Sequence, residues 1–228
     1  MAEPEAGQGR QMEGRARPVR LPFASTVFSQ ALMAASGAGL ALFVLLHLLG
    51  NAAAYLGRAA FLAYARHLHG LGPLLPAMEL CLLLLAATHV VTGTMLTLHN
   101  LQSRPLPYRV KAIRAASLSS RLMPLSGLVI LLFLAVHVPA FRRPAGPSAE
   151  LVRITLSRPG MATFYLLSLA ALTSHLSHGL WSLFQTLGIV APRYDQPLRR
   201  AAVIVSLLAG GVFMLLPLLA LVWPDFLR

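Results

Sequence analysis

Ser36-GAGLALFVLL-His47 returns later in the chain as Ser126-GLVILLFLAV-His137, with Ser-Gly at the same interval before His and with Leu42/Leu132 and Phe43/Phe133 in register. Each copy lies in an uncharged run long enough to cross a bilayer, which takes about 20 residues. A second signature alternates with the first, His89-VVT-Gly93 and His175-LSH-Gly179. The four segments therefore form two related helical hairpins in tandem, one histidine to each helix. An imidazole in hydrocarbon is costly unless something buried uses it. Four helices carrying one each point to paired axial ligands for haem held in a helix bundle.

Composition sets the same scene. At 57% hydrophobic and 11% charged residues, with mean hydropathy +0.69, the chain has too little polar surface to coat a soluble globule. The fold expected is all-α, an integral membrane bundle of five transmembrane helices at about 28–50, 77–99, 122–141, 161–188 and 201–223. Four of them would hold two stacked b haems, and the fifth has no histidine. Residues 1–26 read as a polar cytoplasmic extension, rich in Gly and Pro with both charge signs, and 27–228 as the membrane domain. The first apolar run is too long for the core of a signal peptide and contains His47. Cys81 is the only cysteine and no C-x-x-C-H attachment site exists, so any haem is expected to be non-covalent.

The net charge of +12 does not read as a nucleic-acid signal, because Lys and Arg are confined to the segments between spans and no aromatic platform is interleaved with them. Their distribution sets topology instead. With the N-terminus inside, the inner segments hold Arg10, Arg15, Arg17, Arg20, Arg104, Arg109, Lys111, Arg114, Arg121, Arg193, Arg199 and Arg200; the outer ones hold only Arg58, Arg66, Arg142, Arg143, Arg153, Arg158 and Arg228. This gives an N-in, C-out arrangement.

Depth sorts the histidines. His47 and His137 lie about four residues from the outer ends of their spans, or ~6 Å at the helical rise. His89 and His175, on spans running the other way, lie about 12–14 residues from theirs, or ~20 Å down. The first two form an outer pair and the second two an inner pair, with ~14 Å between levels. Gly93 and Gly179, one turn beyond their histidines on the same face, leave room for a porphyrin edge. Gly37 and Gly127 fall at the depth of the inner ring and read as clearance for it, close helix packing being the alternative for any of these glycines.

The segment FVLLHLLGN (Phe43 to Asn51), then Phe61, Tyr64 and Glu79, then His89, His137 and His175-LSHGLW ending at Trp181, resembles the di-haem cytochrome b subunit of succinate:quinone oxidoreductases, the complex II and fumarate reductase group. The likeness runs roughly from Val27 to Val205. It implies five helices and two bis-histidine haems b as cofactors, with the first and third ligands on one haem and the second and fourth on the other. The depth argument reaches the same pairing separately. The resemblance selects His175 over His178 as fourth ligand, because the family's ligand lies four residues before the glycine of the GLW-like motif. It also implies a quinone substrate, with menaquinone expected, and an iron–sulfur subunit carrying a flavoprotein as partners on the cytoplasmic face of a prokaryotic inner membrane. Succinate/fumarate chemistry would then belong to the flavoprotein. In the fumarate reductase branch a glutamate two residues before the fourth histidine is implicated in proton transfer; here that position is Thr173, so such a pathway is not expected.

A bis-histidine iron has no open position, which makes electron transfer the chemistry expected. The inner segments 104–121 and 193–200 would supply a basic docking surface, although positive-inside charge explains most of it equally well. His67 and His69 fall in the outer connection, where solvation is the plain reading. His69 and Glu79 are the candidates for quinone acid–base work, Glu79 being equally a helix N-terminal carboxylate. His99 reads as interfacial. Two rivals have different partners: a di-haem cytochrome b of a hydrogenase or formate dehydrogenase, and a histidine-lined metal transporter, which calls for clustered ligands and intramembrane carboxylates.

Overall fold

The computed structural model describes residues 26–102, 118–142, 149–188, 191–223 and 225–228. The expected N-terminal extension, apart from its last residue, and most of the basic segment 104–121 lie outside the described residues. Seven α-helices are present among them: α1 (Thr26–Ala52), α2 (Arg58–His69), α3 (Leu74–Gln102), α4 (Leu118–Phe141), α5 (Ala149–Leu156), α6 (Pro159–Thr186) and α7 (Asp195–Val222). No strand occurs among these residues. Four helices are long and apolar enough to cross a membrane: α1 with the turn that follows it, α3, α4, and α7 with the turn that precedes it. The remaining long helix, α6, matches them at 28 residues, but its apolar run is diluted by Ser, Thr and two histidines.

The reason for that dilution is its position. Around a four-helix ring the neighbours are α1 with α3, α3 with α4, α4 with α6 and α6 with α1, while α7 packs outside the ring against α6 and α1. With α1, α4, α5 and α7 all against it, α6 faces mostly protein, where hydroxyls find partners. Large apolar side chains point the other way: Leu83, Leu84, Leu207 and Leu208 are all exposed. The buried polar residues are Ser29, Ser36, Thr92, Ser126, Ser168 and Ser206. Small residues inside and leucines outside is the distribution lipid favours, because helices gain nothing by hiding leucine from hydrocarbon and gain close contact from small side chains.

Hydroxyls buried in this way would be a liability if left unpaired. Each of the following donates to a backbone carbonyl about one turn earlier in its own helix: Ser36 to Leu32 at 2.8 Å, Thr92 to Thr88 at 2.6 Å, Ser126 to Met123 at 3.1 Å, Ser168 to Phe164 at 2.8 Å and Ser206 to Ala202 at 2.7 Å. No buried side-chain nitrogen or oxygen among the described residues lacks a partner. Pro124 and Pro139 in α4 and Pro217 in α7 are tolerated where neighbouring helices support the backbone.

The α6–α7 seam turns on one glycine. Gly210 is buried in α7, and a Cβ there would collide with the Thr173 side chain of α6, whose hydroxyl is bonded to the Leu169 carbonyl at 2.8 Å. Thr173 is thus a packing residue on a β-branched, stiff side chain. Gly210→Ala is expected to destabilise the fold by about 1–3 kcal/mol through overpacking, read as a lower thermal midpoint by helical circular dichroism in detergent. Adding Thr173→Ala should restore most of the loss. An unchanged midpoint for the single variant would count against this seam.

Two short helices in the outer connections were not expected from sequence. Gly57, at φ +97°, takes a conformation open to glycine and separates the end of α1 from α2. Helix α5 buries Ala149 and Leu156 at one end of the bundle in a cluster with Ala54, Phe133, Tyr165, Leu216, Ala220, Phe226 and Leu227. At the other end of the bundle Gly188, at φ +67°, closes α6 with its N–H on the Gln185 carbonyl at 3.1 Å.

Candidate functional site: two diagonal histidine pairs

His47 stands on α1, His89 on α3, His137 on α4 and His175 on α6. Neighbours on the ring do not pair them. Instead the His47 and His137 ring centres lie 6.0 Å apart, and those of His89 and His175 lie 6.3 Å apart. Each pair spans one diagonal of the four-helix ring, in the combination expected from depth. Two imidazoles on opposite sides of one iron have ring centres ~6 Å apart, since each metal–nitrogen bond is about 2 Å and a ring centre lies about 1 Å behind its nitrogen. An aromatic packing contact covers the same range, so hydrogen bonding has to discriminate.

Three of the four rings are held through Nδ1. His89 Nδ1 lies 3.3 Å from Ser36 Oγ, His175 Nδ1 lies 3.0 Å from Ser126 Oγ, and His137 Nδ1 lies 3.2 Å from the Tyr165 hydroxyl. A ring tied at Nδ1 has Nε2 left for another task, the arrangement in which histidines ligate metals. His47 is held differently: its ring stacks on Phe43 at 5.3 Å and tilts against Phe213 at 5.9 Å, and Asn51 donates to its carbonyl at 2.8 Å.

The glycines divide into two kinds. A Cβ at Gly37 would meet His89 Cε1 at 3.0 Å, and one at Gly127 would meet His175 Cε1 at 3.6 Å. Both therefore face the inner pair, as expected. Because His89 sits against Gly37, ten residues inward of His47 on α1, and His175 sits against Gly127, ten residues inward of His137 on α4, the two pairs are ~15 Å apart along the bundle. Gly179 has nothing within 4 Å of an added Cβ, whereas Gly93 faces the Met33 thioether, with Cε at 3.2 Å. The space beside Gly93 is filled by a side chain.

No family model, no curated protein and no solved structure matches this chain. Its reading rests on its own residues.

The quinone candidates are peripheral to both pairs. Glu79 forms an ion pair with Arg142 at 2.8 Å, which ties α3 to the end of α4; an exposed pair of this kind contributes little. His69 is exposed and its Nδ1 bonds the Ala65 carbonyl of its own helix at 2.9 Å. His67 is also exposed. His178 packs its ring against Trp181, with ring centres 5.8 Å apart. At the inner end, Trp181 Nε1 and Gln185 Nε2 both donate to Asp195 Oδ1 at 3.1 Å, and the Arg199 guanidinium lies over the Trp181 ring at 5.4 Å. Arg193, Arg199 and Arg200 are exposed, as a docking surface requires.

Sequence reasoning passed over Ser36, Ser126, Tyr165 and Asp195. The serines were visible as register marks of the repeat, and the match extends back to Met33 and Met123, three residues before each serine. Their side chains' targets were not, because a repeat gives register along a helix and not which neighbouring helix a given face meets. The backbone carbonyls of these two methionines lie 3.1 Å from the Ser36 and Ser126 hydroxyls respectively.

Proposed function

We propose that this chain is the membrane-anchor cytochrome b subunit of a succinate:quinone oxidoreductase, conducting electrons between membrane quinone and a cytoplasmic iron–sulfur and flavoprotein pair. The observation that carries this reading is the pair of diagonals: two imidazole pairs at ring separations of 6.0 and 6.3 Å, on four helices. Donor chemistry fits two haems b, which His47 with His137 and His89 with His175 would hold. When bound, such a group would supply one-electron transfer.

The protein's own part is to hold and insulate. Ser36, Ser126 and Tyr165 orient three of the four rings. The α3 and α4 leucines turned to lipid, with Phe43, Phe133 and Phe213 around the outer pair, keep water from the interior. In this reading α6 is the fifth span, made less apolar by its central place, and the N-terminus lies on the cytoplasmic side with Arg193, Arg199 and Arg200 on the docking face. Thr173, packed on Gly210 and bonded to its own helix, offers no carboxylate for a proton pathway. The quinone is proposed to react near the outer pair, with His69, whose Nε2 is not used by the Nδ1 contact to the Ala65 carbonyl, as the acid–base group, since Glu79 is engaged by Arg142.

Purification of the chain with whatever proteins accompany it, followed by a reduced-minus-oxidised spectrum, a haem count and a search for covalent flavin, tests the proposal. Two b haems per chain together with a flavoprotein that reduces menaquinone from succinate, or fumarate from menaquinol, are expected. Two haems with a hydrogenase or formate dehydrogenase partner would keep the cytochrome and replace the complex. A chain without haem would sink the reading and leave the transporter, against which the histidines' occurrence in pairs already weighs: no three of His, Cys, Asp and Glu converge among the described residues.

A further inference from the structure

The inner histidines are each met by the same small device. Ser36 and Ser126 are both almost fully buried, at 2% and 6% exposure, and each follows a methionine by three residues and precedes a glycine. A serine hydroxyl has one proton and two acceptor lone pairs. That of Ser36 lies 2.8 Å from the Leu32 carbonyl and 3.1 Å from the Met33 carbonyl, and that of Ser126 lies 3.1 Å from the Met123 carbonyl. Carbonyls only accept, so each hydroxyl has an acceptor for its single proton on its own helix. With the proton placed there, a lone pair faces the imidazole, and the ring nitrogen 3.3 Å away at His89 and 3.0 Å away at His175 is the donor.

We infer that Ser36 and Ser126 are positioning residues that hold His89 and His175 in the Nδ1–H tautomer, leaving each Nε2 with its lone pair free and aimed by the ring's fixed orientation. Gly37 and Gly127 complete the device, since a side chain one residue after the serine would press on the same imidazole at Cε1. The outer pair has no counterpart of it. His137 meets a tyrosine hydroxyl, which is free to donate or accept, and the ring of His47 is held by phenylalanines. The consequence toward a bound haem rests on the function proposed above: an imidazole that donates from Nδ1 is a more basic ligand at Nε2, which favours the oxidised iron at the inner site.

Two readouts test this independently of turnover. In the full-length chain freed of haem, with nitrogen-15 in its histidines, the ring-nitrogen spectra should assign His89 and His175 to the Nδ1–H form. Ser36→Ala and Ser126→Ala should each move one of them to the mixture of tautomers ordinary for imidazole, and Ser36→Thr and Ser126→Thr should restore the single form. In the haem-loaded chain, each alanine variant should shift the inner reduction equilibrium about three- to tenfold toward the reduced form, or ~30–60 mV for one electron, leaving the outer one in place. Outer-haem content serves as the check on folding. Wild-type rings found as Nε2–H or mixed, or alanine variants that leave both readouts unchanged or move both haems equally, would overturn the inference. A chain that shows the expected tautomers and takes up no haem would instead overturn the proposed function alone.

Discussion

In the di-haem reading proposed above, replacing His47 or His137 with alanine is expected to remove the outer haem and leave the inner one, halving the haem content, and replacing His89 or His175 should do the reverse. The expectation follows from the diagonals. Each ring has its partner ~6 Å away on the opposite helix, and the next level lies ~15 Å along the bundle, too far for one histidine to serve both irons. Loss of a ligand leaves one imidazole facing an open coordination position, which a non-covalent haem does not survive in a site without a substitute donor. Low-temperature difference spectra of the four variants should fall into two classes, with His47→Ala matching His137→Ala and His89→Ala matching His175→Ala. A different grouping, such as His47→Ala sharing its loss with His89→Ala, would refute the pairing.

Gly37 should be the most sensitive position that is not itself a ligand. A Cβ there would stand 3.0 Å from His89 Cε1, against 3.6 Å at the equivalent Gly127 and His175. The first distance obliges the imidazole to yield; the second is ordinary contact. Gly37→Val, which adds two further methyls against a ring already fixed by Ser36, is therefore expected to weaken inner-haem retention about 10–100-fold, the range seen when a ligand's support is disturbed. Gly127→Ala should leave both haems in place. Haem content after dialysis against apomyoglobin separates the two, and a Gly127→Ala variant more damaged than Gly37→Ala would contradict the packing described.

Much of this architecture is legible in the sequence because lipid simplifies the reading. Runs such as Leu80 to Gln102 and Ala201 to Val222 read as long helices, the interval from Ser-Gly to His gives the repeat, and the distance of each histidine from the end of its span gives its level. Helices α2 and α5 were missed for the opposite reason: at the edge of the apolar region, twelve and eight residues long, they carry too little periodic signal to stand out from a connection. The partner of each polar atom was hidden as well. Ser36 is visible as a repeated letter, but that its oxygen meets His89 depends on the rotation of α1 against α3, which the packing of the whole ring decides. Gly93 illustrates the same limit, since the space its missing side chain leaves is taken by Met33 from another helix.

The diagonals have a consequence for symmetry. His47 and His137 are equivalent positions of the repeat, and so are His89 and His175; like therefore meets like in both pairs. Exchanging α1–α3 with α4–α6 therefore carries each pair onto itself, as an approximate two-fold rotation within a single chain would. Helix α7, packed on α6 and α1 outside the ring, has no mate under that rotation. It marks one side of a symmetric core, giving otherwise equivalent faces of the bundle different identities.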